Sequence, residues 1–434
     1  MSGMRMSGPS VVIVGAGPAG LAAAEAASAG GQGVVLVDEN HAPGGQIWRG
    51  GPQHWHDARA TKLWDALMLR PHVRVMCGSR VVSAGAPGSL LLDTTDGPLA
   101  LPWRQLVICS GARELLLPFP GWTLPGVTGA GGMQALIKGG MPVAGKRVLV
   151  AGSGPLLLAV ANTVRRAGGL IVAIAEHRTG KDLARFGAHL ALRHPARLAQ
   201  ALQLFAALRR VPYLFGARLR AESGGDRLKS VVLERGGEAS EIECDFLACG
   251  FGLVPTLELA RLFKCAVGQG SVIVDAGQRT SIEGVWAAGE STGIGGVDKA
   301  LAEGRIAGLG AAGLHAGAVE RRTLARADAF ARLLADSFAP LPQLRAMVNP
   351  STIVCRCEDV CASALSPHAS WRAAKLQTRV GMGPCQGSVC GAACAFLYGW
   401  EDAGARPPVF PVSAAVLASV GESTPAQDNP PPRK

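Results

Sequence analysis

VVIVGAGPAGLAAAEAASAGGQGVVLVDE, residues 11–39, reads as strand, glycine turn, helix and strand. The run Val11–Val14 is apolar without alternation, as a parallel strand buried on both faces requires. Gly15, Gly17 and Gly20 then form G-x-G-x-x-G, an Ala-rich helix follows, and a second apolar strand ends at Asp38 and Glu39. Together these make a whole βαβ dinucleotide-binding fingerprint rather than an isolated glycine turn. Gly15 permits the tight turn, Gly17 lets the backbone approach a pyrophosphate, and Gly20 lets helix and strand pack closely. The helix N-terminus, with Ala16, Pro18 and Ala19 around it, faces the anion. Asp38 holds the position whose carboxylate binds a ribose hydroxyl, with Glu39 as its immediate competitor.

Residues 146–177, KRVLVAGSGPLLLAVANTVRRAGGLIVAIAEH, repeat the theme. Gly152 and Gly154 fill the first two glycine positions, but Leu157 stands at the third, where a large side chain pushes helix and strand apart. Glu176 ends the next strand and would favour NADH over NADPH through the ribose 2′-hydroxyl. A second nucleotide-type domain follows from this pattern, while Leu157 counts against an NAD(P) or other nucleotide bound in it. The fold class is therefore α/β, with two Rossmann-like dinucleotide-binding domains, one inserted in the other, and a small C-terminal helical domain. The expected division is a first domain over 1–135 and 271–318, an inserted one over 136–270, and a helical linker over 319–344. A cysteine-bearing domain over 345–400 follows, then a C-terminal segment with a disordered tail over 401–434.

Composition narrows the function classes. The 434 residues suffice for two or three domains at roughly 150 residues each. Hydrophobic residues at 48% and charged ones at 17% exclude a disordered polyelectrolyte. Aromatic content of 5% argues against a stacked-ring platform for carbohydrate or single-stranded nucleic acid. The net charge of +11 is spread over helices (Arg165, Arg166, Arg209, Arg210, Arg321, Arg322) rather than gathered in one arm. That spread favours acidic cofactors, partners or anionic lipid over nucleic acid. The start lacks the apolar core of a secretory signal, and no uncharged apolar run reaches the length of about 18 residues that a membrane span needs. The eleven cysteines are then expected as reduced thiols, ligands or redox groups, in a cytoplasmic protein with peripheral contact to the inner membrane.

Further stretches point to a flavin. PGGQIW, Pro43–Trp48, follows the ribose acid; Gly44 and Gly45 bring backbone amides near a diphosphate or flavin ring, and Gln46 can hydrogen-bond there. LVICSGARE is a buried strand ending in Cys109, Ser110, Gly111 and Ala112, with Cys109 read as packed core. GVWAAGESTGIGGVDKALAEGRIAG, from Gly284, gives a strand, then Gly289 and Glu290, then a glycine loop opening a helix near Gly296 and Val297. That helix N-terminus would stabilise negative charge on reduced flavin. His41, His54 and His56 are expected to be solvated.

With GAGPAG, PGGQI, CSGA and AAGE in this order, the chain resembles the two-dinucleotide-binding-domain flavoprotein superfamily that includes thioredoxin reductase. The resemblance implies an FAD site lined by Gly15, Gly17, Asp38, Gly45, Gln46 and Glu290, with Glu290 reaching the ribityl chain in place of the usual Asp. It extends the site to Val82, Ser110, Gly111, Ala112, Gly289, Gly296 and Val297. The second domain carries no C-x-x-C (its cysteines are Cys244, Cys249 and Cys265), so dithiol chemistry is not supported.

Six of the eleven cysteines fall between Cys355 and Cys394. Cys355 and Cys357 form C-x-C, and Cys385 and Cys390 form C-x4-C. Four thiolates in two close pairs suit a [2Fe–2S] cluster or a tetrahedral zinc, with unligated thiols as the remaining alternative. C-x-C is unusual for zinc, and two irons each held by one pair fit better. Gly381, Gly383, Gly387 and Gly391 leave backbone N–H groups for the sulfurs, while Arg356, Lys375 and Arg379 offset their charge. Cys361 and Cys394 read as core.

This segment resembles the bacterioferritin-associated-ferredoxin-like [2Fe–2S] domain. Joined to the upstream flavoprotein, VCRCEDV and TRVGMGPCQGSVCG are similar to the A-type (α) subunits of heteromeric amine dehydrogenases: opine oxidase, hydrogen cyanide synthase and D-hydroxyproline dehydrogenase. That resemblance implies a D-amino-acid-oxidase-like FAD β subunit that oxidises a C–N bond, a small ferredoxin-like γ subunit in some assemblies, and a respiratory electron acceptor. A flavin and a cluster in one chain form a two-to-one-electron converter. The alternatives are a stand-alone NAD(P)H-dependent acceptor reductase and a zinc-bearing scaffold. No catalytic side chain is assigned.

Overall fold

The computed structural model describes residues 10–223, 226–401 and 406–422. The expected disordered tail, TPAQDNPPPRK, lies outside the described residues. The chain divides into two compact units: Met1–Gly111, Pro255–Ala327 and Gly404–Lys434 form one, and Ala112–Val254 and Asp328–Ala403 the other.

In the first unit, β1 (Val11–Val14), α1 (Pro18–Ser28), β2 (Val34–Val37) and β3 (Val73–Met76) lead a five-stranded sheet. Its order is Val285–Ala287, Gln105–Ile108, β1, β2, β3, and every neighbouring pair is parallel. All four residues of β1 are buried, which is why the run does not alternate. The helix Gly296–Ala311 lies against α1 at backbone distance: a Cβ on Gly304 or Gly308 would stand 2.1 or 2.2 Å from the carbonyl oxygens of Ala19 and Ala23. Small residues on both helices therefore let them touch. Ile13, Leu21 and Leu36 are fully buried beside this contact, and trimming either leucine to Ala would cost about 2–5 kcal/mol. A three-stranded antiparallel sheet (Arg80–Ala84, Ser89–Thr94, Gly97–Pro102) completes the unit, and the C-terminal segment joins it where Val409 N–H donates to the Val82 carbonyl.

The second unit holds a parallel sheet in the order Tyr213–Phe215, Leu170–Glu176, Arg147–Gly152, Phe246–Gly250, Val127–Gly129, followed by a three-stranded antiparallel sheet. The cysteine-rich segment has its own small core of Val354, Leu365, Trp371, Val380 and Trp400. Leu344 and Phe396 pack with Phe119 and Phe251 of the larger core, and Trp122 Nε1 donates to the Ile353 carbonyl at 2.6 Å, so the segment belongs to this unit.

Candidate functional site

Gly15 adopts φ +105°, and a Cβ there would lie 2.2 Å from the Cys109 carbonyl oxygen. A Cβ on Gly20 would lie 1.7 Å from the Gly15 carbonyl oxygen, so α1 comes onto β1 only because no side chain intervenes. A Cβ on Gly17 would meet nothing closer than the Gly45 Cα, 3.9 Å away, and Gly44 N–H donates to the Ala16 carbonyl at 2.8 Å. The PGG loop is thus seated on the turn, with a bare backbone face between them. Gly17 caps α1 without a side-chain hydrogen bond, Pro18 sits in the first turn, and no acid stands there. The first amides of α1 keep their positive end for an anion.

Asp38 is buried at the end of β2. One oxygen accepts Ala16 N–H at 2.5 Å; the other accepts Asn40 N–H and Nδ2 at 2.8 and 2.7 Å. Glu39 is exposed and paired with Arg80 at 2.8 Å. Of the two acids, Asp38 is the one seated at the turn. Asn40, which orients it, escaped the sequence reading because a lone Asn after a strand carries no pattern.

The downstream loop joins the same place. A Cβ on Gly289, at φ +81°, would stand 2.8 Å from Ala19 Cβ. Glu290 Oε1 accepts Gly296 N–H at 2.7 Å and Gly295 N–H at 3.3 Å, while its Oε2 is buried with no hydrogen-bond partner among the described residues. Val297 packs on the first core. A further network lies beneath: Lys299 Nζ pairs with Glu303 Oε1 at 2.6 Å and donates to Thr292 Oγ1 at 2.9 Å. Glu303 Oε2 accepts Gly289 N–H at 2.8 Å and Thr292 Oγ1–H at 2.7 Å. Burial pushes the Glu303 carboxyl up against the pull of Lys299. In sequence this is an ordinary i, i+4 Lys–Glu pair, the kind that usually marks a solvated helix face.

The remaining expected residues are placed as follows. Gln46 is exposed and accepts from Arg49 at 2.8 Å. Ser110 Oγ donates to the Thr256 carbonyl at 2.7 Å, Gly111 has φ +73°, and Ala112 opens the second unit. Val82 sits at a bulge of its strand with its carbonyl taken by Val409 N–H. Cys109 is buried, with its thiol pushed up by that burial, and His41, His54 and His56 are exposed.

The second turn has the same backbone and a different surface. Gly152 is again pressed on a neighbouring strand, a Cβ lying 1.9 Å from the Gly250 carbonyl oxygen. Glu176 is fully buried; its oxygens accept Gly154 N–H at 2.8 Å and Arg178 N–H at 2.9 Å, and burial raises its carboxyl. Leu157 is fully buried. A Cβ on Gly154 would meet the Phe338 side chain at 3.3–3.6 Å.

The four expected ligand cysteines converge crosswise. Burial, and then the Cys385 thiol, push the Cys357 thiol up; burial, and then Cys355, do the same to Cys390, so each thiol feels a neighbour from the other pair. The cause is local: Gly383 lies so close to Cys357 (a Cβ would be 2.4 Å from Cys357 Cβ) that the loop before Cys385 folds onto it. Cys390 then starts a helix inside the small core beside Cys355. Burial raises the Cys385 thiol, but Val389 N–H, the Cys357 thiol, Gly387 N–H and the Ser388 hydroxyl outweigh it and bring the thiol below its ordinary value. Arg379 is exposed and paired with Glu358 at 2.7 Å. Cys394 is buried and Cys361 half-buried. Among the described residues, no three or more His, Cys, Asp or Glu side chains group tightly enough to hold a metal ion.

Residues 9–304 match the pyridine nucleotide-disulphide oxidoreductase family model. The chain is 34% identical to the A subunit of opine oxidase from Rhizobium meliloti, over 95% of this chain and 98% of that one. It is 31% identical to hydrogen cyanide synthase subunit HcnB of Pseudomonas aeruginosa, over 92% and 96%. Among solved structures, L-proline dehydrogenase from P. horikoshii superposes with TM-score 0.67 at 18% identity, covering 94% of this chain and 79% of that one. Thioredoxin reductase from T. acidophilum superposes with TM-score 0.54 at 22% identity, covering 70% and 98%. These two share the fold. The glycine turns, the Asp38 and Glu290 loops and the full-length likeness agree: the chain is an oxidoreductase of the pyridine nucleotide-disulphide oxidoreductase family and belongs with the opine oxidase A and hydrogen cyanide synthase B subunits.

Proposed function

We propose that this chain is the FAD- and [2Fe–2S]-containing electron-transfer subunit of a heteromeric amine or imino-acid dehydrogenase. Its partner on this reading is a D-amino-acid-oxidase-like β subunit, joined in some assemblies by a small ferredoxin-like subunit, with a respiratory acceptor downstream. The residues present fit the flavin, and the four cysteines supply the donor type that a cluster takes, although they do not stand as a closed ligand set. The uncapped N-terminus of α1 and the open face of Gly17 suit a diphosphate. The buried, unpartnered Glu290 Oε2 suits a hydroxyl donor. Four thiols in two close sequence pairs, with the Val389 and Gly387 amides drawing the Cys385 thiol down, suit an iron–sulfur cluster.

Bound FAD would take up a pair of electrons and release them singly, and a [2Fe–2S] cluster would carry one. The chain's own residues prepare for that. Asp38 fixes the turn through Ala16 N–H. Glu303 and Lys299 tie Gly289, Thr292 and Gly293 into one rigid loop. The helix from Gly296 presents its positive end to charge gathered at that loop.

The C-x-C and C-x4-C cysteines, Cys355, Cys357, Cys385 and Cys390, carry this reading, because two such pairs would add a one-electron carrier to a flavoprotein. In the assembled complex, Cys355→Ser with Cys385→Ser should abolish amine:acceptor activity while the flavin absorbance persists. Unchanged activity would remove the cluster from the route. A colourless wild-type chain would favour the zinc-bearing scaffold.

Peripheral membrane contact is supported by one region. Residues 183–221 contain seven arginines and no aspartate or glutamate. Leu192, Leu202, Phe205 and Phe215 stand exposed among them. Guanidinium groups interleaved with bare apolar side chains suit an anionic lipid surface. No helix among the described residues is long and apolar enough to cross a membrane.

A further inference from the structure

We infer that Phe338 closes the second nucleotide site to NAD(P)H and thereby determines which donor can reduce this chain. The second glycine of the fingerprint exists to let a pyrophosphate approach the backbone. At Gly154, with φ +95°, that approach is filled: Phe338 Cγ, Cδ1 and Cβ lie 3.3, 3.4 and 3.6 Å from where a Cβ would be. These are contact distances, so the aromatic side chain stands on the glycine face itself. An apolar aromatic side chain is also the wrong chemistry for a phosphate.

The plug is held from both sides. Phe186 packs edge-on against Phe338 with centroids 4.9 Å apart. Arg178 Nη2 donates to the Ala339 carbonyl, so the chain just past Phe338 is tied to the end of the strand that carries Glu176. That bond also engages the guanidinium nearest the ribose acid, which a 2′-phosphate would otherwise meet. The turn amides do not distinguish the two sites: Gly154 N–H goes to Glu176 at 2.8 Å, as Ala16 N–H goes to Asp38 at 2.5 Å. Leu157, fully buried at the third position, removes the close helix approach that draws a helix N-terminus onto the phosphates. Steric filling by Phe338, a tethered arginine and the large third residue act on the same turn. Reducing equivalents must then enter by another route, such as a partner subunit's flavin or substrate. The inference concerns only the excluded donor, so it stands or falls separately from the amine reading.

The test is NADH binding to the full-length flavin-loaded chain, followed anaerobically by quenching of nicotinamide fluorescence and by flavin bleaching. Wild type should show no saturable binding up to about 1 mM. Phe338→Gly, which bares Gly154, should tighten binding by at least about tenfold, whereas Phe338→Leu, which keeps a bulky apolar group there, should behave as wild type. Saturable wild-type binding would overturn the inference, and so would a folded Phe338→Gly chain that binds no better than wild type. If Phe338→Gly fails to fold, Phe338→Ala and the wild-type titration still decide. Loss of amine:acceptor activity in Cys355→Ser with Cys385→Ser would leave this result untouched.

Discussion

Two glycine turns of one backbone design lie in this chain, and they differ in what stands at the third glycine and over the second. In the first, the third glycine is Gly20 and the face of Gly17 meets only the backbone of Gly45; in the second, Leu157 replaces that glycine and Phe338 covers Gly154. The acids do not make the difference. Asp38 and Glu176 are both buried and both spend an oxygen on an amide of their own turn. A fingerprint therefore establishes a fold unit, while ligand access depends on what stands over the second glycine and beneath the third.

The sharpest way to break the contrast is to give the first turn the residue of the second. Gly20→Leu places a side chain where a Cβ already lies 1.7 Å from the Gly15 carbonyl oxygen. Loss of bound flavin and of at least about 4 kcal/mol of stability is expected, read by flavin content and thermal unfolding. A folded, flavin-loaded variant would show that the third glycine is dispensable here.

Next in size is the buried pair under the flavin loop. Lys299→Met strips Glu303 of its cation at 4% side-chain exposure, for an expected cost of about 3–5 kcal/mol in denaturant unfolding. A change no larger than that of an exposed pair would mean that the network does not hold the loop.

The two acids after β2 should separate more gently. Asp38→Ala should weaken flavin retention and cost about 1–3 kcal/mol, because it orphans the Ala16 N–H. Glu39→Gln, which breaks only an exposed pair with Arg80, should cost less than about 1 kcal/mol. Equal losses would show that Glu39 shares the role.

The smallest effect is a pH trend at the second turn. Burial raises the Glu176 carboxyl from 4.5, despite the lowering by the amides of Arg178 and Gly154. A carboxyl raised on folding lends stability that is whole below its unfolded value and fades as pH climbs through the folded one. Glu176→Gln should therefore gain on wild type in melting temperature as pH rises above 4.5. A gap that stays constant across that range would contradict the burial effect.

Much of this was legible in the sequence, for definite reasons. The unalternating Val11–Val14 is a parallel strand buried throughout, and Gly15, Gly20 and Gly45 lie where the backbone tolerates nothing larger. The expected family and the α/β class hold. Short-range pattern ends where contacts come from far along the chain. Phe338 belongs to a polar-looking helix, Ala318–Phe338, and nothing in its neighbours ties it to Gly154. Lys299 and Glu303 have the spacing of a surface pair and are buried only because small residues let their helix onto α1. The crossed thiols reflect Gly383 pressing on Cys357, a tertiary contact that the spacing of the cysteines does not encode.

The relay itself is tested most directly by metal analysis and electron paramagnetic resonance of the anaerobically purified, full-length chain after chemical reduction. Iron and acid-labile sulfide in about a 1:1 ratio, with a paramagnetic signal that disappears in Cys355→Ser with Cys385→Ser, is the expected result. Visible flavin absorbance with neither iron nor sulfide would contradict it.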